Sequence, residues 1–224
     1  MSEQEQGLVK SNPRFTFKRS GIMGRMQNNA LAPVLDTNVP NKIGIVFDDS
    51  GSMGGQPIED AHSGIDEFVK NCNSNDTALA IYPLNAECKP LNRDFAEVAF
   101  YGMSIPTTGG TPLFKTLEKL IDAEPITRAV AFSDGSPDMH DLEYEEPVLT
   151  KYTEKKIPID TIYIGSALGN GAVVMKRIAE RTGGIFLQFT DASVLRKSLK
   201  YLAPAYRAML GSGDFKKKVE EGKA

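Results

Sequence analysis

From residue 41 onwards, short apolar runs alternate with longer stretches whose apolar positions recur every three or four residues. Residues 43–47, IGIVF, are continuously apolar, the mark of a strand covered on both faces. Pro57 suits a first helical turn, and Ile58, Ala61, Ile65, Phe68, Val69 and Cys72 follow at helical spacing. Residues 77–82 predict a second strand, 87–91 a short edge strand, and 94–101 either a short helix or a strand. Thr111-Pro112 reads as an N-cap followed by proline, opening a helix with the stripe Leu113, Phe114, Leu117, Leu120 and Ile121. Residues 126–132 predict a strand that ends at Ser133-Asp134-Gly135. A helix from about Pro147 leads to a strand at 159–164. A helix over 171–182 is closed by Gly183-Gly184, a last strand spans 185–189, and Asp191 or Ser193 opens a terminal helix to about Met209.

Strands alternating with helices imply parallel pairing, right-handed crossovers and a sheet between two helical layers. In such sheets ligands bind beyond the carboxyl ends of the strands, where the strand order reverses. Polar residues do collect there, at 48–52, 107–111 and 133–138.

The stretch KIGIVFDDSGSMGG, residues 42–55, runs from the first strand directly into carboxylates and hydroxyls. Such groups in a dry site need partners, and a hard cation satisfies several oxygens at once. Asp48, Ser50, Ser52, Thr111 and Asp134 form the candidate ligand set. All are oxygen donors without His or Cys among them, which selects Mg2+, Mn2+ or Ca2+ over zinc or copper. Two carboxylates against three neutral hydroxyls leave room for exchangeable water, or for a carboxylate brought by a partner. Thr107 and Thr108 are rival ligands to Thr111. Asp49 is expected to face solvent or to support the site from outside it. Asp138 reads as a solvated loop residue or a supporting one, His62 as surface, and Met53 as a rim residue that contacts a partner or shields the loop. His140, with neighbouring carboxylates but no second His or Cys, makes a poor zinc site.

Charge changes the picture at the N-terminus. The chain of 224 residues carries 26 basic and 29 acidic side chains, a net charge of -3, which argues against wholesale nucleic-acid binding. The exception is local. Residues 6–35 contain no acidic residue, whereas Lys10, Arg14, Lys18, Arg19 and Arg25 are basic, with Phe15 and Phe17 interleaved. Residues 1–40 therefore read as a basic, extended or disordered arm, for which phosphate binding is a secondary reading. Residues 41–210 form the domain and 211–224 a charged tail. The polar first 20 residues predict no signal peptide, no apolar run suggests a membrane span, and two cysteines suggest free thiols in a reducing cytoplasm.

Asp-x-Ser-x-Ser at 48–52, the threonine of TTGGTPL and the aspartate of FSDGSPD resemble the metal-ion-dependent adhesion site of von Willebrand factor A (vWA) domains. IAERTGGIF, residues 178–186, is similar to the approach to that family's last strand. The likeness covers about residues 41–205. GSMGGQPIEDAHSGI, TTGGTPL and SDGSP look most like small intracellular bacterial vWA proteins of tellurium-resistance and stress operons. Those proteins often carry an extra C-terminal metal-binding region, unmatched here, and the basic arm has no counterpart.

The resemblance implies a doubly wound, mainly parallel six-stranded α/β sheet with one short antiparallel edge strand. It also implies metal-dependent binding of a protein whose Asp or Glu completes the metal shell. A second implied reading is a subunit working with an AAA+ ATPase or with an operon-encoded kinase and phosphatase. Nothing in the sequence looks like a P-loop, so ATP hydrolysis would come from the partner. An aspartate after an apolar strand also suggests Mg-dependent phosphohydrolases, but Ser50 stands where the haloacid-dehalogenase type needs its second carboxylate. The expectation is a binding module and not an enzyme.

Overall fold

A computed structural model describes residues 40–72, 76–85, 89–90, 109–135, 137–165 and 170–190. Six strands form one sheet: β1 (Asn41–Phe47), β2 (Thr77–Pro83), β3 (Lys89–Pro90), β4 (Arg128–Ser133), β5 (Ile159–Ile164) and β6 (Phe186–Phe189). Their order is β3-β2-β1-β4-β5-β6. Five are parallel, and β3 alone runs antiparallel, against β2. The parallel pairing between helical layers is what the alternating pattern predicts, and the doubly wound sheet with a short antiparallel edge is what the family resemblance implies.

Side chains along β1 explain why the helices lie on both faces. Ile43, Ile45 and Phe47 point to one side, where Ala61, Ile65 and Phe68 of α1 (Gln56–Asn71) cover them. Val46 points to the other, beneath Leu113, Leu117 and Leu120 of α2 (Leu113–Ala123). The helices α3 (Glu145–Glu154) and α4 (Asn170–Thr182) add Val148, Leu149, Tyr152, Met175 and Ile178 to that second core. A fully buried aliphatic or aromatic side chain of this kind contributes roughly 1.5–3 kcal/mol. With apolar groups needed on both faces, the strand reads as a run and not as an alternation.

Several boundaries differ from the pattern by one or two residues; β1, for instance, begins at Asn41. The fourth strand begins at Arg128, two residues later than the apolar run, because Thr127 is spent on the neighbouring strand end. Its backbone N–H donates to the Lys42 carbonyl at 2.7 Å, and its hydroxyl oxygen accepts from the Lys42 N–H at 3.0 Å. The third helix begins at Glu145, with Pro147 inside its first turn. α4 closes as expected, with the Gly184 N–H reaching the Ala179 carbonyl at 2.8 Å. The basic arm over 1–39, the segment 94–101, Thr107, Thr108, Cys88, the terminal helix and the charged tail lie outside the described residues.

Candidate metal centre

β1 and β4 are neighbours from which the chain winds in opposite directions, so the carboxyl ends of these two strands flank the topological switch. Asp48 follows β1 directly, and Ser133 and Asp134 end and follow β4. The pairing of Phe47 with Phe132 continues one step further, as the Asp48 N–H donates to the Phe132 carbonyl at 2.9 Å. Asp48 is wholly buried. One of its oxygens accepts from the Ser50 N–H at 2.9 Å, and the other accepts a short hydrogen bond from the Ser133 hydroxyl. Ser133 in turn accepts from the Gly135 N–H at 2.8 Å, so the two strand-end loops form one bonded unit.

Burial pushes the Asp48 carboxyl above its usual range, against the pull of the Ser133 and Ser50 hydrogen bonds; the negative charge of Asp134 pushes the same way. Burial raises the Tyr163 hydroxyl as well, and the Asp134 charge adds to that shift. Among the described residues no basic side chain pairs with Asp48. The site thus sets the negative charge of Asp134 beside a buried Asp48 whose hydrogen bonds come from neutral donors.

The hydroxyls stand ready beside it. The loop turns through a 3-10 segment at Gly51–Met53, fixed by the Met53 N–H on the Ser50 carbonyl at 3.1 Å. This brings Ser50 Oγ and Ser52 Oγ to 3.0 Å of each other, with Ser50 buried and Ser52 exposed. Adjacent ligands of an octahedral ion with oxygens at about 2.0–2.1 Å lie about 2.9 Å apart. The donor types and this spacing therefore fit a hard divalent cation. Among the described residues no group of three or more His, Cys, Asp or Glu side chains forms a metal cluster.

Asp134 is half-buried, on backbone that packs against α4 with no room for side chains. A Cβ on Gly135 would meet the Gly171 carbonyl oxygen at 2.4 Å, and one on Gly171 would meet that of Asp134 at 1.9 Å. Gly135 also has φ of +72°, which glycine adopts without strain.

Thr111 is buried immediately before α2, but it does not cap the helix as its position suggests. The first-turn N–H groups of Phe114 and Lys115 are instead taken by the buried Asp141 carboxylate, at 2.7 and 3.0 Å. A cap from 27 residues away leaves no local signal, and it relieves the Thr111 hydroxyl of that task. Burial raises the Asp141 carboxyl, with the two amide bonds opposing the shift. Asp138 is exposed yet not merely solvated, since it accepts from the Thr111 N–H at 2.9 Å. The loop bearing Asp134 thereby grips both Thr111 and the start of α2.

The structure narrows the Asp49 reading to support from outside the ligand set, and it changes those of Met53 and His62. Asp49 is fully buried, and one oxygen accepts from the Asn85 N–H at 2.9 Å. Met53 lies in the core and is unavailable to a partner. His62 is half-buried, its ring centroid 5.0 Å from that of Phe47, and burial lowers its pKa. His140 is exposed. The supporting residues missed by pattern reading are Ser133, Asn85 and Asp141; of these, only Ser133 stood beside a recognised motif.

No protein-family profile and no curated protein matches the sequence. Solved structures do. The chain is similar to a von Willebrand factor type A protein from Catenulispora acidiphila, at TM-score 0.58 and 18% identity, over 74% of this chain and 42% of that one. It is similar to the ArnB paralog VWA2 from Sulfolobus acidocaldarius, at TM-score 0.52 and 19% identity, over 74% and 46%. The TFIIH p34 N-terminal domain matches at TM-score 0.54 and 16% identity, over 73% of this chain and 97% of that domain. The fold is that of a vWA domain. The match spans less than half of the first two proteins, so their likeness carries the fold and not the work of the whole molecules.

Proposed function

We propose that the protein is a metal-dependent protein-interaction module. Asp48, Ser50, Ser52, Thr111 and Asp134 would hold Mg2+, or Mn2+ or Ca2+, at the carboxyl edge of the sheet, and an Asp or Glu of a partner would complete the shell. The observation that carries this reading is a buried Asp48 beside the charge of Asp134, with paired serine hydroxyls and, among the described residues, no basic side chain on Asp48 itself. Bound there, the ion would supply positive charge beside Asp48 and a coordination position for a carboxylate. This chain's part is to keep that position rigid: Ser133 orients Asp48, and Asp138 holds the Thr111 backbone.

The reading is of binding without turnover. Ser50 occupies the place of the acid/base carboxylate that aspartyl phosphohydrolases need two residues after their nucleophile, and catalysis without a placed acid/base lacks a mechanism. An assembly with an AAA+ ATPase, or with a kinase and phosphatase, is the kind of partnership the sequence resemblance suggests. A cytoplasmic setting and a stress-response context belong to the same reading. Among the described residues no helix is long and apolar enough to cross a membrane.

Calorimetric titration of Mg2+ and Mn2+ into chelator-treated protein tests the site. Saturable binding that is lost in Asp48→Ala is expected. A protein partner retained on the immobilised chain should elute with chelator and fail to bind Asp48→Ala. Absence of metal binding in the wild type, or a partner indifferent to chelator, would refute the reading.

A further inference from the structure

The second aspartate of the strand-end pair is as buried as the first but faces a different loop. The parallel register that sets Phe47 opposite Pro83 carries Asp49 to the level of Asn85, and the Leu84 N–H on the Phe47 carbonyl at 3.0 Å extends it. Asp49 Oδ1 accepts from both the backbone N–H and the side-chain Nδ2 of Asn85, at 2.9 and 3.3 Å. The same Nδ2 donates to the Gly110 carbonyl at 2.8 Å. Asn85 therefore bridges the buried carboxylate and the backbone immediately before Thr111.

The glycine pair of TTGGTPL fits this bridge. A Cβ on Gly109, whose φ is +91°, would stand 2.7 Å from Asn85 Oδ1, and one on Gly110 would stand 2.0 Å from Asp138 Oδ2. The backbone before Thr111 thus runs through a slot between the Asn85 amide and the Asp138 carboxylate. The remaining oxygen of Asp49, Oδ2, is buried without a hydrogen-bond partner among the described residues. A buried carboxylate in that condition is costly to keep, and its return must be sought in what it holds.

We infer that Asp49 and Asn85 form a positioning strut for the Gly109–Thr111 loop, setting where Thr111 stands relative to Ser50 and Ser52. The effect on metal affinity rests on the proposed metal centre; the effect on the loop does not. Groups that orient metal ligands from behind typically change affinity about 10–100-fold when removed.

The test uses the full chain, with Mn2+ affinity measured by calorimetry and amide hydrogen exchange over 109–112 measured in chelator. Asn85→Ala and Asp49→Ala should each speed exchange of this segment and weaken Mn2+ binding about tenfold. The double variant should lose no more than the worse single one, since both act through one bridge. Asp49→Asn keeps an acceptor for Asn85 and should hold exchange at the wild-type rate. Asp160→Asn, at the opposite edge of the sheet, controls for general loss of stability.

Unchanged exchange and affinity in Asn85→Ala would overturn the strut. So would additive losses in the double variant, or effects equal to those of Asp160→Asn. If the wild type binds no Mn2+ while loop exchange still answers to Asn85, the metal reading falls and the strut stands.

Discussion

Asp48 and Asp160 are buried carboxylates in the same sheet, two strands apart, and they are treated in opposite ways. Asp160 sits near the start of β5, where its Oδ2 meets the Arg128 guanidinium at 2.8 Å and its Oδ1 accepts from the Ile185 N–H at 2.8 Å. Its charge is compensated within the protein, and it ties β4, β5 and the approach to β6 together. Asp48 lies at the other edge with neutral donors and the like charge of Asp134 nearby, and its carboxyl is raised. The difference separates a carboxylate compensated within the protein from one that, on the proposed function, an external cation would compensate. Burial alone does not distinguish them; the charge of the partner does.

The strongest way to break this comparison is to remove each carboxylate in turn. Asp48→Ala should lower Mn2+ affinity at least about a hundredfold, seen in calorimetry. Asp160→Ala should leave that affinity unchanged but cost about 1.5–3 kcal/mol in denaturant unfolding, because the half-buried Arg128 loses this ion pair and the Ile185 N–H loses its acceptor. Metal binding that responds equally to both would erase the distinction.

Asp141→Ala should cost about 1–2 kcal/mol through loss of the cap on α2, a smaller effect read from the same unfolding curves. Asp48→Asn sharpens the contrast further. In chelator it should raise Tm by a few degrees, worth about 1 kcal/mol, because a destabilised carboxylate is neutralised, while metal binding is lost. A lowered Tm would mean that the Asp48 carboxylate serves the fold as well.

The smallest effect is in pH. The folded Asp141 carboxyl is raised above its ordinary value of 3.8, so folding takes up a proton in the window between the two. Its contribution to stability is greatest below that window and declines as pH rises through the folded value. Asp141→Asn should flatten that part of a stability–pH curve, and an unchanged slope would assign the decline to other carboxylates.

Much of the fold was legible because burial on both faces leaves long apolar runs, as in β1 and β4. The strand-end loops were legible because Asp48, Ser50 and Ser52 lie within five residues of one another. The cap of α2 was misread since it comes from Asp141, and no local pattern records a bond that spans 27 residues. His62 was misread for a related reason: helical spacing puts it beside the apolar stripe, and only packing against Phe47 shows which side of the boundary it takes.

The sequence by itself determined the alternation of strands and helices, a parallel sheet between two helical layers, and which oxygen-bearing residues crowd the strand ends. Those follow from periodicity and residue chemistry, which act over a few neighbours. Tertiary structure decided the rest: that Ser133 answers Asp48, that Asn85 bridges Asp49 to the loop before Thr111, and that Arg128 neutralises one buried aspartate while none of the described basic side chains pairs with the other. These depend on which strands become neighbours and in what register, and that choice is made by the packing of the whole sheet.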